Sequence, residues 1–322
     1  GTGIDNVDAG AGSDTIFGGA NVTDLDTIVG GLGADTLNLE GVYTGPAALT
    51  VANRISGIEN IVLHSQGDGN GNSGFQYDIT VDNNNDVDAG ATTTDILTVD
   101  ASALLADADS VAAGDQAETL VFNTANGTNL FRIDVTGGAG GDTIWGGGLD
   151  DTLTGGEGAD VIRGRAGSDS IVLTETTAAR DTVIMTNNSV TDVDTITHFD
   201  AGSAFTSDVF DLSDFVTGDW DGTVYTSDGM LNPITANNDV MVYVGEEMLS
   251  TLVVAPGGAG FNLSDGGDFI LIQADSTAET FANIYYVSDF PAGPGIAESI
   301  RLIGTVNFVT GDTFADFNAA NA

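Results

Sequence analysis

Residues 137–172 read as four nonapeptides laid end to end: GGAGGDTIW, GGGLDDTLT, GGEGADVIR and GRAGSDSIV. Each begins with glycine, carries Asp at position six and an aliphatic residue at position eight. Asp142, Asp151, Asp160 and Asp169 hold position six; Ile144, Leu153, Ile162 and Ile171 hold position eight. Four copies in phase set this stretch apart from a Gly/Asp-rich loop of low complexity. A strict short period of this kind is the mark of a solenoid, in which each repeat buries its apolar side only against its neighbours.

The chemistry follows from the spacing. The Gly-rich half can adopt positive φ and bring bare backbone close to an ion. The other half is a very short strand whose one aliphatic side chain points inward. Two nonapeptides make one coil, so residue i stacks on residue i+18, placing Asp142 over Asp160 and Asp151 over Asp169. Two stacked carboxylates and several turn carbonyls form an all-oxygen cage, which suits Ca²⁺ better than softer metals. Two departures stand out: Leu149 replaces a second-half glycine, and Arg165 replaces a leading one.

Residues 1–38 form a second block of the same pattern. Asp5, Asp14, Asp26 and Asp35 hold position six, with Val7, Ile16, Ile28 and Leu37 at position eight. The run GGANVTDLDTIV carries three extra residues, so both Asp5–Asp26 and Asp14–Asp35 are 21 apart. An insertion in a turn shifts both pairs equally and keeps their stacking, so two further Ca²⁺ half-cages are expected here. The metal-ligating set expected for the whole chain is Asp5, Asp14, Asp26, Asp35, Asp142, Asp151, Asp160 and Asp169.

Through these blocks, about a quarter of the chain, the sequence resembles the RTX (repeat-in-toxin) family of bacterial proteins. The resemblance implies a Ca²⁺-binding parallel β-roll, export by type I secretion machinery in a poorly folded form, and folding outside the cell where Ca²⁺ is abundant. It names no activity, because RTX blocks occur in proteases, lipases, toxins, adhesins and surface-layer proteins.

Charge points the same way. The 322 residues contain 48 acids and 6 basic residues, a net charge of −42, and 39 of the acids are Asp against 9 Glu. Asp is the favoured turn residue and a good hard-metal ligand, so Ca²⁺ explains part of the bias; a marine or salt-adapted surface is the competing explanation. Nucleic acid and anionic membranes are poor partners for such a surface. There is no cysteine, which excludes disulfides and thiolate metal sites. No run approaches the roughly 18 apolar residues of a transmembrane helix. The chain opens inside a nonapeptide, without an initiating Met or a signal peptide, and is expected to be cut from a longer parent.

Five segments are expected: an RTX block over 1–38, a degenerate β-solenoid over 39–136, an RTX block over 137–172, a roll-closing segment over 173–219, and a β-rich C-terminal domain over 220–322. In the linking segment, Ile61, Ile79 and Leu97 stand 18 apart, the coil length of the roll itself; an antiparallel insert is the alternative. Two polar loops resemble Ca²⁺ loops without the closing Glu, one with Asp68, Asn70 and Asn72, the other with Asp82, Asn84, Asp86 and Asp88. Turns between strands are the simpler reading for both. Residues 101–110 are the best short-helix candidate.

The closing segment, TDVDTITHFDAGSAFTSDVFDLSDF, resembles the stretch that caps RTX rolls, and Asp181, Asp194, Asp200 and Asp208 are further possible ligands. Beyond it, NDVMVYVGEE, STLVVA, DFILIQA, NIYYVSDF and SIRLIGTVNF read as strands. The final VTGDTFADFNAANA resembles an uncleaved type I secretion signal.

No catalytic set is visible. His64 and His198 are the two histidines, each simplest as a surface or edge residue, and no H-E-x-x-H, G-x-S-x-G or phosphate loop is present. The fold expected is all-β, a Ca²⁺-binding β-roll followed by a β-rich domain. The function expected is a non-enzymatic, secreted, extracellular structural protein of the cell surface that self-associates with Ca²⁺, of surface-layer or surface-fibre type. The alternatives are the export-and-folding cassette of a larger enzyme or toxin, and an adhesin fragment binding glycan through 220–322, for which Trp220, Tyr225 and Tyr243 are too scattered to argue.

Overall fold

The computed structural model describes residues 3–45, 48–51, 54–65, 74–82, 95–105, 117–125, 131–186, 191–201, 206–215, 224–227, 240–244, 267–274, 279–290, 299–313 and 315–316. They are nearly all strand and turn, and among them no helix is long and apolar enough to cross a membrane. The chain divides into two compact units, 1–181 and 182–322.

In the first unit successive strands alternate between sheets, and every described pairing is parallel. One sheet runs, in spatial order, Ser170–Val172, Thr152–Thr154, Arg132–Thr136, Ile96–Asp100, Asn60–Leu63, Thr36–Leu39 and Thr15–Gly19. The other runs Val161–Arg163, Thr143–Trp145, Thr119–Thr124, Gln76–Val81 and Leu49–Val51. A small third sheet joins Asn6–Ala11, Thr27–Leu32 and Ile55–Ser56. This is the parallel β-roll and solenoid expected, and it excludes an antiparallel insert over the described part of 39–136.

The core is built from stacked single side chains, as the period-two geometry of a strand requires. Leu37, Ile61, Val99, Val135, Leu153 and Ile171 lie in one register column and are all fully buried. Leu49, Ile79, Phe122, Ile144 and Ile162 form the facing column. The same registers correct one expectation. Ile61 pairs with Val99 and Ile79 with Phe122, so the 18-residue spacing of Ile61, Ile79 and Leu97 is a half coil that crosses between sheets. The linking coils are longer than those of the nonapeptide block because more residues separate their strands.

The helix expected at 101–110 is absent from its described part. The Asp100 carboxylate accepts from the Ser102 amide and hydroxyl at 3.0 and 2.6 Å, and the Leu104 amide donates to the Ala101 carbonyl, closing a turn. An Asp bonded to the backbone two residues on favours a turn over a helix interior. Residues 106–110, Asp68, Asn70, Asn72, Asn84, Asp86, Asp88, STLVVA, Trp220 and 317–322 lie outside the described residues, as do the Tyr225 and Tyr243 side chains.

In the second unit, Val224–Ser227, Val240–Val244, Gly267–Ala274, Phe281–Phe290, Ser299–Phe308 and Asp194–Phe199 form one mixed sheet in that order. Val209–Asp211 pairs with Thr182–Ile184, and Phe199 stacks on Phe210 at 4.5 Å. His198 has φ 64° where the strand register slips beside Phe199, an exposed bulge residue.

Because each coil contributes one inward aliphatic to a column, removing one leaves a gap that neighbours cannot fill. Ile144→Ala is expected to cost about 2–5 kcal/mol, and the outward Thr152→Ala within about 0.5 kcal/mol. Denaturant titration in saturating Ca²⁺ measures both; similar costs would contradict the single-column core.

Candidate metal centre

The position-six aspartates are turned inward, which is unusual for so polar a side chain. Asp26, Asp35, Asp142, Asp151, Asp160 and Asp169 are buried, while Asp5 and Asp14, in the first coil, are half-buried. The structure brings together each stacked pair that the spacing implies. The Asp5 amide donates to Asp26 Oδ1 at 2.7 Å, and Asp14 to Asp35 Oδ1 at 2.7 Å. The Asp142 amide donates to Asp160 Oδ1 at 2.7 Å, and Asp151 to Asp169 Oδ1 at 2.8 Å. One carboxylate oxygen of the lower coil thus fastens the backbone of the coil above.

The second oxygen divides the turns into two kinds. In 137–142 and 146–151 it is satisfied within its own turn: Gly138 donates to Asp142 Oδ2 at 2.7 Å and Gly147 to Asp151 Oδ2 at 2.6 Å. In 155–160 the position-two and position-four residues, Gly156 and Gly158, adopt φ 106° and 107°. That conformation accompanies a buried Asp160 Oδ2 with no hydrogen-bond partner. Asp14 Oδ2 and Asp35 Oδ2 are buried and unpartnered in the same way.

Two sequence departures fit this division. Leu149 stands at position four of 146–151, a turn of the first kind, where no left-handed residue is needed. Arg165 stands at position two of 164–169, a turn of the second kind, and adopts φ 73°, which costs a non-glycine residue roughly 1–2 kcal/mol. Its guanidinium offsets that strain. It donates to the Thr124 carbonyl and hydroxyl at 2.8 and 2.6 Å, to the Gly146 carbonyl at 3.2 Å and to Asn123 Oδ1 at 2.9 Å. It also lies 5.2 Å from the centre of the Trp145 ring.

Burial dominates the electrostatics of the carboxylates between 142 and 181. It pushes the Asp142 carboxyl up to about 6, Asp151 to about 7 and Asp181 to about 7. Asp160 rises furthest, to about 9, because burial is joined by the charges of Asp181, Asp142 and Glu175. Asp26 behaves oppositely: hydrogen bonds from the Asp5 and Thr23 amides hold it below the usual carboxylate range.

A hard cation fits these residues. Unpartnered, buried carboxylate oxygens are costly without a counter-charge. The leading glycines form a cradle around them: a Cβ on Gly155 would overlap Asp160 Oδ2, and one on Gly137 would overlap Asp142 Oδ2 and the Gly155 carbonyl. Among the described residues no three acidic, His or Cys side chains converge on one point, so the carboxylates come in pairs and backbone carbonyls must supply the remaining ligands. Oxygen-only coordination rich in carbonyls is the environment of Ca²⁺. The sequence model of the RTX calcium-binding nonapeptide repeat, in four copies, matches residues 1–21, 23–41 and 136–171. These segments carry RTX calcium-binding nonapeptide repeats. No curated protein matches it.

The RTX ladder also runs past its repeats, which the sequence reading missed at one end. Glu59 Oε2 accepts from the Asp35 amide at 2.6 Å, and Asp181 Oδ1 from the Asp160 amide at 2.9 Å. The signal was an acid two residues before an inward aliphatic, as in Glu59–Ile61 and Asp181–Val183, freed of the glycines. Asp200 and Asp208 instead tie each other's backbone, the Asp200 amide donating to Asp208 Oδ2 at 2.8 Å. Asp194 is buried at the start of its strand. His64 bonds Asn38 Oδ1 at 2.7 Å through Nε2.

Two outcomes are expected. Without divalent ions, folded carboxyls raised above about 4 hold protons that the unfolded chain has lost, so their contribution is complete near pH 4 and disappears as pH rises through 6 to 9. In chelator the melting temperature should therefore fall from pH 5 to pH 9, and the increment given by Ca²⁺ should grow. Higher stability of the chelated chain at pH 9 than at pH 5 would contradict this. At position 165, Ala keeps the φ penalty and loses the guanidinium, whereas Gly loses only the guanidinium. Arg165→Ala should melt below Arg165→Gly by the equivalent of about 1 kcal/mol, and both below the parent.

Proposed function

We propose that this chain is a secreted, non-catalytic structural protein of the bacterial cell surface, of surface-layer or surface-fibre type, in which Ca²⁺ drives both folding and self-association. The observation that carries the proposal is a parallel ladder of stacked inward columns held at its turns by buried, stacked carboxylates. One outward row is polar: Thr36, Asn60, Thr98, Asp134, Thr152 and Ser170 lie in register on one face. Such a row offers a regular polar surface for lateral contact.

The charge sets the condition for assembly. At −42 the chains repel one another, and the repulsion is screened only over about 8–10 Å in ordinary salt. Divalent ions bound within the turns lower that charge, and ions between molecules bridge it. Export through type I secretion machinery and folding outside the cell suit a chain whose compact state needs Ca²⁺.

Electron microscopy and solution scattering of the purified chain in millimolar Ca²⁺, and again after chelation, test the reading. Sheets or filaments formed only with Ca²⁺ are the expected result. Compact monomers under both conditions would overturn the structural role and favour an export-and-folding cassette of a larger protein.

A further inference from the structure

Each RTX block is followed by one coil that lacks the glycine code yet continues its carboxylate ladder. After the first block, the Asp14 amide bonds Asp35 and the Asp35 amide bonds Glu59. After the second, Asp142 bonds Asp160 and Asp160 bonds Asp181. The steps are chemically the same, an amide of one coil donating to a carboxylate of the next. The repeat matches stop at 41 and 171, so Glu59 and Asp181 lie beyond both.

At each of these last steps the upper aspartate is fully buried and keeps an oxygen without a hydrogen-bond partner, Asp35 Oδ2 and Asp160 Oδ2. Beside the first, the left-handed Gly57 delivers its carbonyl to the same spot: a Cβ on Gly30 would overlap both the Gly57 carbonyl and Asp35 Oδ2. At the second, the glycine-free segment 173–181 is docked onto the turn above by side chains. Glu175 Oε1 accepts from the Gly158 amide at 3.1 Å, and Glu157 accepts from the Thr176 amide and hydroxyl at 2.7 Å each. Asp181 is itself buried, so two carboxylates face a region from which water is largely excluded. A buried carboxylate oxygen without a donor, as Asp35 Oδ2 and Asp160 Oδ2 are, is costly unless a cation stands beside it.

We infer that two Ca²⁺ sites lie outside the recognised repeats, one shared by Asp35 and Glu59 with the Gly57 carbonyl, the other by Asp160 and Asp181. Each fastens a glycine-poor coil to the end of an RTX block, and turn carbonyls complete the oxygen set. Ion binding by the roll therefore extends one coil further than its sequence code. The inference rests on the calcium reading of the repeats themselves.

Glu59→Gln and Asp181→Asn test it, because the amide keeps an oxygen to accept from Asp35 or Asp160 while removing the charge. By equilibrium dialysis and native mass spectrometry of the full chain, each variant should hold one Ca²⁺ fewer than the parent, and the double variant two fewer. Asp100→Asn, at an exposed turn, should hold the parental number. Parental stoichiometry and affinity in both variants would overturn the inference while leaving the repeat sites intact. A parent chain that binds no Ca²⁺ would instead overturn the calcium reading as a whole. If the variants fail to fold, anomalous scattering from Ca²⁺-grown crystals of the parent decides: peaks about 2.3–2.6 Å from oxygens of both pairs are expected, and their absence sinks the proposal.

Discussion

A carboxylate buried against the backbone of the next coil is the interaction on which the first unit depends. One oxygen of each position-six aspartate accepts from an amide one coil away, which fixes the register of the turns. The same burial makes the charge expensive. Hydrogen bonds from amides reduce that cost but leave it incomplete wherever Oδ2 has no donor, as at Asp14, Asp35 and Asp160. The aliphatic columns give the sheets their cohesion, and the carboxylates decide whether the turns at their edges can close.

The two kinds of turn show how backbone conformation decides where a cation is wanted. When the position-two amide points at its own aspartate, as in Gly138 and Gly147, the carboxylate is satisfied and the turn tolerates a side chain such as Leu149. When positions two and four are left-handed, the amide is withdrawn and the oxygen is exposed to the cradle. A left-handed backbone is demanded only in the second kind, whereas in the first kind glycine is required by close packing, as at Gly137 and Gly146. A repeat signature averages over both, so a substitution that looks disruptive in sequence can be harmless in one turn and strained in the next.

Much of the fold was legible because the coil is short. In the nonapeptides of 137–172 each short strand buries one residue, with an acid two positions before it, so the period fixes strand, face and stacking partner together, and all four expected aspartate pairs are in contact. Legibility failed where turn length varied. The 18-residue spacing of Ile61, Ile79 and Leu97 was real but measured a half coil, because a period says how often the chain returns to an inward position and not to which sheet. Glu59 escaped notice because the reading required glycine, when the ladder itself requires only an acceptor at the right height. The 101–110 helix failed for a local reason: apolar composition could not compete with an Asp100 carboxylate that bonds the backbone two residues on.

Arg165 shows the same constraint met from within the chain. Opposite Asp151 the preceding coil carries Ile133, so no carboxylate is present there to help hold an ion over the Thr124 and Gly146 carbonyls. A guanidinium supplies positive charge and directed donors to those two carbonyls at once, and the planar fork suits acceptors stacked in successive coils. The left-handed backbone that glycine would adopt freely is retained at position 165 because four hydrogen bonds hold it there. Where the acid code ends, then, the roll still asks for a cation at its turns, and a side chain can answer when a metal's ligands are missing.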